Sequence, residues 1–415
     1  MAKYILYLCT MKRKHTISKA TAVLIMSLTI AATATAQAQH VKIVFAGDLM
    51  GHMPQHNAAL QADGSYDYAP CFRYVKDYIA DADLAIVNLE VPLDGRPYSG
   101  YPQFSAPDAL AEAARNAGFD IMTTANNHCM DRGRHGLERT LYALDSLGIP
   151  HLGTYRDRGH HDAEHPMIVE RNGMRLALLC YTYGTNGIPV ADPNVVNFID
   201  TIEMARDLRA ARNSGADFVI TLIHWGIEYA VKANAEQEQT ALWLLEHGCD
   251  AVIGGHPHVV QNFTIDANPS NNRYPEIVVY SMGNLVSNQR DVNTDGGIMI
   301  ELELNRLRNS PIITQHCRYM PYWVHRGTVD SLYQYYIIPS TDAAQHPERY
   351  QVEGNDLKAL RLFDSNTRAR LSACALPDGS NIEEKHYSPF DRNRHIPLST
   401  MPTMSNIFLK DRITR

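Results

Sequence analysis

Residues able to bind a divalent metal follow several short apolar runs in the chain. The most specific group is His256-Pro257-His258, which is preceded by Gly254 and Gly255. If the two histidines are extended, they point to the same side, so both imidazoles reach one metal ion. The two glycines permit close backbone approach. The alternative is a surface loop that happens to hold two histidines.

Carboxylate, amide and imidazole groups after other apolar runs extend this candidate site. Asp48 offers a hard anionic oxygen, and Glu90 is long enough to bridge two cations. Asn127 can coordinate through its amide oxygen, and His224 follows a buried run directly. The alternatives are a turn or helix N-cap for Asp48, a salt bridge for Glu90 and a core histidine for His224. The predicted metal ligands are Asp48, Glu90, Asn127, His224, His256 and His258.

Some of the other polar residues near these groups each allow two roles. His128 is either a further ligand or the acid that protonates a leaving group. Asp131 either orients His128 or caps the next turn, and this pair is the predicted catalytic pair. His52 and Glu228 are additional ligand candidates. Tyr229 either lines a substrate surface or packs in the interior.

This mixture of donors indicates the kind of metal and the class of reaction. Carboxylate, amide and imidazole together suit Mn, Fe or Zn better than Ca or Mg alone, and one or two ions fit the set. Two adjacent cations would clamp a phosphate and activate a water, which indicates a metal-assisted hydrolase and leaves its substrate open. By contrast, His160, His161 and His165 fall in a polar stretch and are expected to be solvated loop residues.

The elements that must position these groups alternate between strand and helix across residues 41–304. Short continuous apolar runs are typical of strands buried on both faces. Strands are predicted over 41–46, 84–89, 119–123, 218–223, 251–253 and 276–280, and helices over 107–117, 136–147, 199–212 and 236–247. A hairpin over 167–183, with its turn at Asn172-Gly173, is added to that core. Such alternation indicates an α/β layered fold, in which ligands bind at the carboxyl ends of strands.

The two ends of the chain differ in character from this central region. Residues 1–38 carry a basic start, an apolar run over 20–32 and small residues at the end, which predicts a signal peptide and export to the periplasm or cell surface. An uncleaved N-terminal anchor is the alternative. The main domain is placed at 41–325. Residues 326–415 are predicted to form a C-terminal extension that is partly helical, over 355–376, with a polar loop over 341–354 and an irregular tail.

Composition excludes some classes of protein and leaves others. The 415 residues are 45% hydrophobic and carry a formal charge of −7, with no long basic run. Nucleic-acid binding therefore lacks its electrostatic signature. No cysteine lies in a CxxC pair, so a zinc ribbon is not indicated and no disulfide is assigned.

Six motifs in order resemble the CapA family of capsule-synthesis proteins, which is linked to poly-γ-glutamate production. The motifs are Phe45-Ala46-Gly47-Asp48-Leu49-Met50, Asn88-Leu89-Glu90, Asn126-Asn127-His128-Cys129-Met130-Asp131-Arg132-Gly133, His224-Trp225-Gly226-Ile227-Glu228-Tyr229, Gly255-His256-Pro257-His258-Val259-Val260-Gln261 and Ser281-Met282-Gly283-Asn284. The resemblance spans residues 41–304. That family is similar in fold to the calcineurin-like metallophosphatases, which implies a four-layer αββα sandwich around two metals.

The resemblance also implies roles for individual residues. Asp48 matches the first-strand metal aspartate, and Glu90 stands where a bridging aspartate is usual. The remaining matches to metal-site motifs are Asn127, His128, His224, His256 and His258. The wider superfamily has a histidine at the place of Met50, and both this change and Glu90 follow the CapA pattern.

Together these features predict an exported metal-dependent hydrolase of capsule or exopolymer synthesis. Its substrate would be an anionic polymer with γ-glutamyl amide bonds or a phosphoester, and its partners would include membrane-bound capsule synthesis components but no nucleic acid. The alternative is a non-catalytic polymer-binding or export-scaffold subunit that keeps the metal-site fold. Met50 and the polar extension motivate that alternative.

Overall fold

The computed structural model of this protein describes residues 39–266, 276–306, 314–374 and 382–391. The predicted signal peptide over 1–38 and most of the predicted irregular tail lie outside the described residues. Within the part that the structure describes, no helix has the length and apolar character needed to cross a bilayer.

Nine strands form the first of two large sheets. They are β1 (Gln39–Leu49), β2 (Leu84–Leu89), β3 (Ile121–Thr123), β4 (His151–Leu152), β13 (Asn284–Val286), β14 (Gly296–Arg306), β15 (Thr314–Val329), β16 (Leu332–Pro339) and β17 (Glu383–Glu384). Their spatial order is β16-β15-β14-β1-β2-β3-β4, with β13 beside β1 and β17 beside β15. Strands β1 to β4 are parallel, so their carboxyl ends meet at one edge.

Six strands form the second sheet, and two short strands pair separately. The six are β6 (Met167–Arg171), β7 (Met174–Thr182), β9 (Phe218–His224), β10 (Ala251–Gly255), β11 (Phe263–Asp266) and β12 (Glu276–Val279), in the order β11-β12-β10-β9-β7-β6. The predicted hairpin is present as β6 and β7. Its second strand is internal to the sheet and pairs in parallel with β9, so it belongs to the core. The separate pair is β5 (Thr154–Tyr155) with β8 (Val195–Val196).

Helices flank the two sheets. They are α1 (Met53–Ala59), α2 (Lys76–Ala80), α3 (Asp108–Ala117), α4 (Gly133–Leu147), α5 (Arg158–Glu164), α6 (Thr201–Asn213), α7 (Ala235–Glu246), α8 (Ser340–Gln345) and α9 (Gly354–Ser372), with 3-10 turns at Ala69–Phe72 and Pro347–Tyr350. Helices α1 to α4 pack on the first sheet, and α6 and α7 pack on the second.

Side-chain alternation along the strands explains why the two sheets face each other. In β1, Ile43 and Phe45 point into an apolar layer shared with β7, β9 and β10 of the second sheet. Val44 and Ala46, the residues between and after them, point to the helices instead. Because successive side chains of a strand leave opposite faces, each sheet has two buried faces. The result is the predicted α/β fold, a four-layer αββα sandwich.

The region after residue 325 is more regular than its sequence suggested. Strand β15 runs past that position, and with β16 it extends the first sheet. The predicted helical segment is present as α9, whereas the stretch predicted as a loop holds α8 and a 3-10 turn. Aromatic side chains bury these elements against the sheet, among them Trp323, Tyr336 and Phe363. The six described cysteines are all buried and free.

Candidate metal centre

The first predicted ligand, Asp48, lies near the carboxyl end of β1 and is fully buried. Strand pairing places it in register with Asn88 of β2 on one side and Asn284 of β13 on the other. Asn88 Nδ2 donates a hydrogen bond of 2.9 Å to Oδ1 of Asp48, and the backbone N–H of His256 donates one of 3.2 Å to Oδ2. Asn88 thus fixes this carboxylate, a role that its place in the second motif could have indicated.

The carboxylate of Glu90 is the least satisfied polar group at this edge. The residue follows β2 directly, is 0% exposed, and neither of its carboxylate oxygens has a hydrogen-bond partner among the described residues. Burying an ionised carboxylate without compensation costs several kcal/mol, roughly. Its oxygens lie instead near imidazoles, with Oε1 3.3 Å from His224 Nε2 and 3.8 Å from His258 Nε2. An ion would satisfy these oxygens.

Asn127 and His224 meet although they are distant in sequence. His224 ends β9 of the second sheet, and Asn127 follows β3 of the first. Oδ1 of Asn127 lies 2.8 Å from Nε2 of His224. The amide nitrogen of Asn127 donates to Asn186 at 3.3 Å, which turns its oxygen toward the centre. Both donors therefore face the same space as Glu90.

The two histidines after β10 reach the centre by a route different from the predicted one. An extended backbone was predicted for these residues, but φ is +97° at His256 and +57° at His258. This left-handed conformation costs a non-glycine residue about 1–3 kcal/mol and is typical of functional sites. The predicted close approach of Gly255 is present, since a Cβ there would lie 2.8 Å from Oδ1 of Asp48.

Two overlapping sets of three donors result. Donor atoms of Asp48, Glu90 and His258 lie within 4.8 Å of one another, and so do those of Glu90, His224 and His256. Glu90 is the member that the two sets share. We call these five residues, with Asn127, the strand-end centre. Its donor set of carboxylates, imidazoles and an amide fits a divalent metal.

Burial and neighbouring charges set the protonation of this centre. Burial lowers the pKa of His256 to about 2, so its imidazole is neutral. Burial also lowers the pKa of His258, but the carboxylates of Glu90 and Asp48 outweigh it and raise that pKa to about 9. Nδ1 of His258 lies 3.3 Å from Oδ2 of Asp48, close enough for charge attraction though not aligned as a hydrogen bond. Without metal, the proton on His258 therefore partly balances the two carboxylates, and metal binding must displace it.

His128 and Asp131 form a buried pair beside the strand-end centre. Nδ1 of His128 lies 2.8 Å from Oδ2 of Asp131, which also accepts a hydrogen bond of 2.8 Å from the backbone N–H of Phe104. Burial lowers the pKa of His128, but Asp131 and Glu90 outweigh it and raise the pKa above its usual value. Asp131 therefore orients the imidazole and favours its protonated form.

The structure places the additional ligand candidates at the margin of the centre. Neither set of three described donors includes His52, whose Nδ1 lies 3.1 Å from Oε1 of Gln55. Glu228 is exposed. Tyr229 is also exposed, with its ring centroid 6.2 Å from that of His258. Met50 packs in the apolar layer between the first sheet and its helices, so it offers nothing to the centre.

Sequence reasoning missed two features of this region. The ring of Tyr183, which follows β7, lies 4.6 Å from that of His256 between centroids, and no motif pointed to it. The expectation that His161 and His165 are solvated is wrong, because they are 3% and 8% exposed. Residues 161 and 165 are four apart, the spacing of one helix face, and that signal could have indicated α5.

Comparison with known sequences and structures bears on the identity of the chain. Residues 42–289 match the family described as "Bacterial capsule synthesis protein PGA_cap". The capsule biosynthesis protein CapA of Bacillus anthracis is 27% identical over 283 residues, which are 64% of this chain and 64% of that protein. The PGA biosynthesis protein CapA of Bacillus subtilis (strain 168) is 27% identical over 284 residues, 63% of this chain and 67% of that protein. The chain thus spans about two thirds of the length of these relatives.

Two solved structures resemble the fold at low identity. The NAD nucleotidase NadN of Haemophilus influenzae has a TM-score of 0.44 at 14% identity, covering 83% of this chain and 65% of that one. A 5'-nucleotidase from Candida albicans SC5314 has a TM-score of 0.40 at 12% identity, covering 80% of this chain and 57% of that one.

The family match covers more than half of the chain and includes every ligand of the strand-end centre. The chain therefore belongs to the bacterial capsule synthesis protein family PGA_cap.

Proposed function

We propose that the protein is a divalent-metal-dependent hydrolase of capsule or exopolymer biosynthesis. The observation that carries this proposal is the carboxylate of Glu90, which is fully buried, lacks a hydrogen-bond partner among the described residues and belongs to both donor sets. Such a group is stable when cations neutralise it. Capsule biosynthesis is the role of the family, and hydrolysis is the chemistry that the donors favour.

One or two ions would be held by the strand-end centre, and Glu90 belongs to both donor sets. Asp48 and His258 would hold one, and His224 and His256 the other, with Asn127 adding a neutral oxygen beside His224. Imidazoles mixed with carboxylates favour Mn, Fe or Zn. When bound, such ions supply Lewis-acid polarisation of the substrate and activation of water.

His128 would move a proton in this reaction. Asp131 holds Nδ1 of the imidazole, which leaves Nε2 to donate a proton to the leaving group. The ring of Phe104 packs edge-on against His128 at 4.7 Å between centroids and limits its rotation. The raised pKa of His128 keeps that proton available near neutral pH.

The substrate would enter past two half-exposed tyrosines. Tyr183 and Tyr229 are 44% and 51% exposed, and their rings lie beside His256 and His258. The named relatives act in capsule and PGA biosynthesis, so we infer an anionic polymer with γ-glutamyl amide bonds, or a phosphoester, as substrate. Membrane-bound capsule synthesis components are the inferred partners. Export through residues 1–38 would bring the protein to the periplasm or cell surface.

Turnover by the metal-loaded protein tests this proposal. Purified protein reconstituted with Mn or Zn is assayed on poly-γ-glutamate and on a panel of chromogenic phosphoesters, together with His258→Ala. His135→Ala is the matched control, since that histidine side chain is 80% exposed on α4. We expect metal-dependent turnover that His258→Ala abolishes and His135→Ala keeps. Metal-loaded protein that binds the polymer and hydrolyses nothing would contradict the proposal and favour the scaffold alternative.

A further inference from the structure

A second group of buried ligands lies outside the strand-end centre, beside the helical face of the second sheet. It consists of His161 in α5, His165 just after that helix, and Asp207 in α6, all of them buried. One ring nitrogen of each histidine and one oxygen of Asp207 lie within 4.8 Å of one another. We propose that these three residues, the helical-face site, bind a separate transition-metal ion of the Zn²⁺ type.

Neighbouring groups orient these ligands as they do in known zinc sites. Nδ1 of His161 lies 2.8 Å from the carboxylate of Asp162, and Nδ1 of His165 lies 3.1 Å from the hydroxyl of Tyr155. Metal-ligating histidines commonly engage one ring nitrogen in this way and bind the ion through the other. The second nitrogen of His165, Nε2, is 3.1 Å from Oδ2 of Asp207. Nε2 of each ring is therefore the expected ligand atom.

The number and type of ligands match zinc. Two imidazoles and one carboxylate are a known protein ligand set for this ion, with a fourth position left for water. The histidines are four residues apart at the end of one helix, and Asp207 comes from another, so the ion would join α5 to α6. Tyr181 of β7 donates a hydrogen bond of 3.0 Å to Oδ2 of Asp207, which ties the site to the second sheet.

A hydrogen-bonded network without metal explains only part of this arrangement. It accounts for the chain from Tyr181 through Asp207 to His165, since each contact is 3.0–3.1 Å. It does not include His161, whose ring centroid is 4.9 Å from that of His165 and which brings a third donor to the group. His161 is thus the residue that separates the two explanations.

An ion here would also stabilise the approach to the strand-end centre. The segment between β7 and α6 carries Tyr183, which lies against His256, and Asn186, which accepts from Asn127. Asn197 in the same segment lies 3.4 Å from Nδ1 of His165. Joining α5, α6 and β7 therefore restrains a segment that contacts residues of both sites.

Zinc stoichiometry of the full chain tests the proposal. Wild type, His161→Gln, Asp207→Asn and the control His160→Gln are reconstituted with ZnCl₂ and desalted, and their zinc is measured by mass spectrometry. His160 is in the same helix, but its Nε2 pairs with Glu164 and it is outside the donor group. We expect His161→Gln and Asp207→Asn each to lose one equivalent of zinc, and His160→Gln to lose none.

Two further measurements keep the test decisive. Glu90→Gln should lose zinc from the strand-end centre and keep the equivalent that depends on His161, so the failure of either site is distinguishable from that of the other. If His161→Gln does not fold, zinc-edge anomalous scattering from wild-type crystals replaces it, with a peak expected between the three side chains. Equal zinc content in wild type, His161→Gln and Asp207→Asn, or no such peak, would overturn the proposal and leave a hydrogen-bonded network.

Discussion

The strand-end centre and the helical-face site contain the same kinds of side chain in different states of satisfaction. At the strand-end centre, the carboxylate oxygens of Glu90 have no hydrogen-bond partner among the described residues. At the helical-face site, Asp207 accepts from Tyr181 and contacts His165. A buried carboxylate with hydrogen-bond partners is stabilised without an ion, whereas one without them is stabilised by a nearby cation or by protonation. The difference supports the proposed ions at the sheet edge, and at the helical-face site it shows a carboxylate that hydrogen bonds also hold.

Substitution of Glu90 should give the largest effect, and that effect should be confined to metal binding at the strand-end centre. Glu90→Gln takes away the anion that both donor sets share, and loss of a buried charge partner is worth about 3–5 kcal/mol. We expect metal affinity at the strand-end centre to fall about 10²- to 10⁴-fold, as measured by calorimetric titration. Glu228→Gln is the matched control, because Glu228 is an exposed glutamate near the same centre. Unchanged affinity in Glu90→Gln would contradict this account of the centre.

Replacement of Asp131 should separate catalysis from metal binding. Asp131→Asn removes the carboxylate that orients His128 and raises its pKa, so the imidazole loses its role as acid. We expect the rate of hydrolysis to fall about 10²-fold. Metal content should stay at the wild-type value, because neither donor set of the centre includes Asp131. A variant that loses metal, or one that keeps the full rate, would show that the pair has another role.

Addition of one methyl group beside Asp48 should give the smallest effect on metal binding. Gly255→Ala would place a Cβ 2.8 Å from Oδ1 of Asp48, and overpacking of this kind costs about 1–3 kcal/mol. We expect roughly tenfold weaker metal binding at the strand-end centre and no change at the helical-face site. Gly184→Ala is the control, since a Cβ there meets no atom within 4 Å. Equal losses in the two variants would indicate a general effect on folding instead.

The sequence predicted the strand-end centre better than the helical-face site for a physical reason. Each residue of the first follows a continuous apolar run, so parallel strands carry its members to one edge. His161 lies on a seven-residue helix without apolar periodicity, His165 follows that helix, and Asp207 comes from a separate helix, so only folding unites them. The left-handed backbone at His256 and His258 could likewise not be predicted from the local sequence pattern, because tertiary packing imposes it.

The same difference between locally patterned residues and residues united only by folding applies to the elements of the fold. The predicted helices and strands between residues 41 and 280 are present, with ends shifted by a few residues. Strand β14 was not predicted, although Ile298, Ile300 and Leu302 occur at every second position, which is the period of a strand. Strands β15 and β16 carry apolar residues toward both faces, because α1 and α9 pack on opposite faces of these strands: α1 shares a cluster with Tyr335, and α9 shares one with Trp323 and Tyr336. Their pattern depends on partners that are far away in sequence.

Anomalous scattering at the manganese edge from crystals reconstituted with Mn²⁺ tests the central claim most directly. The claim is that the buried carboxylate of Glu90 binds a divalent metal together with imidazoles from the second sheet. The account predicts one or two peaks about 2.0–2.2 Å from Glu90 oxygens, with His258 or His224 as a further ligand. A map with no peak beside Glu90, from protein that is folded and saturated with metal in solution, would contradict it.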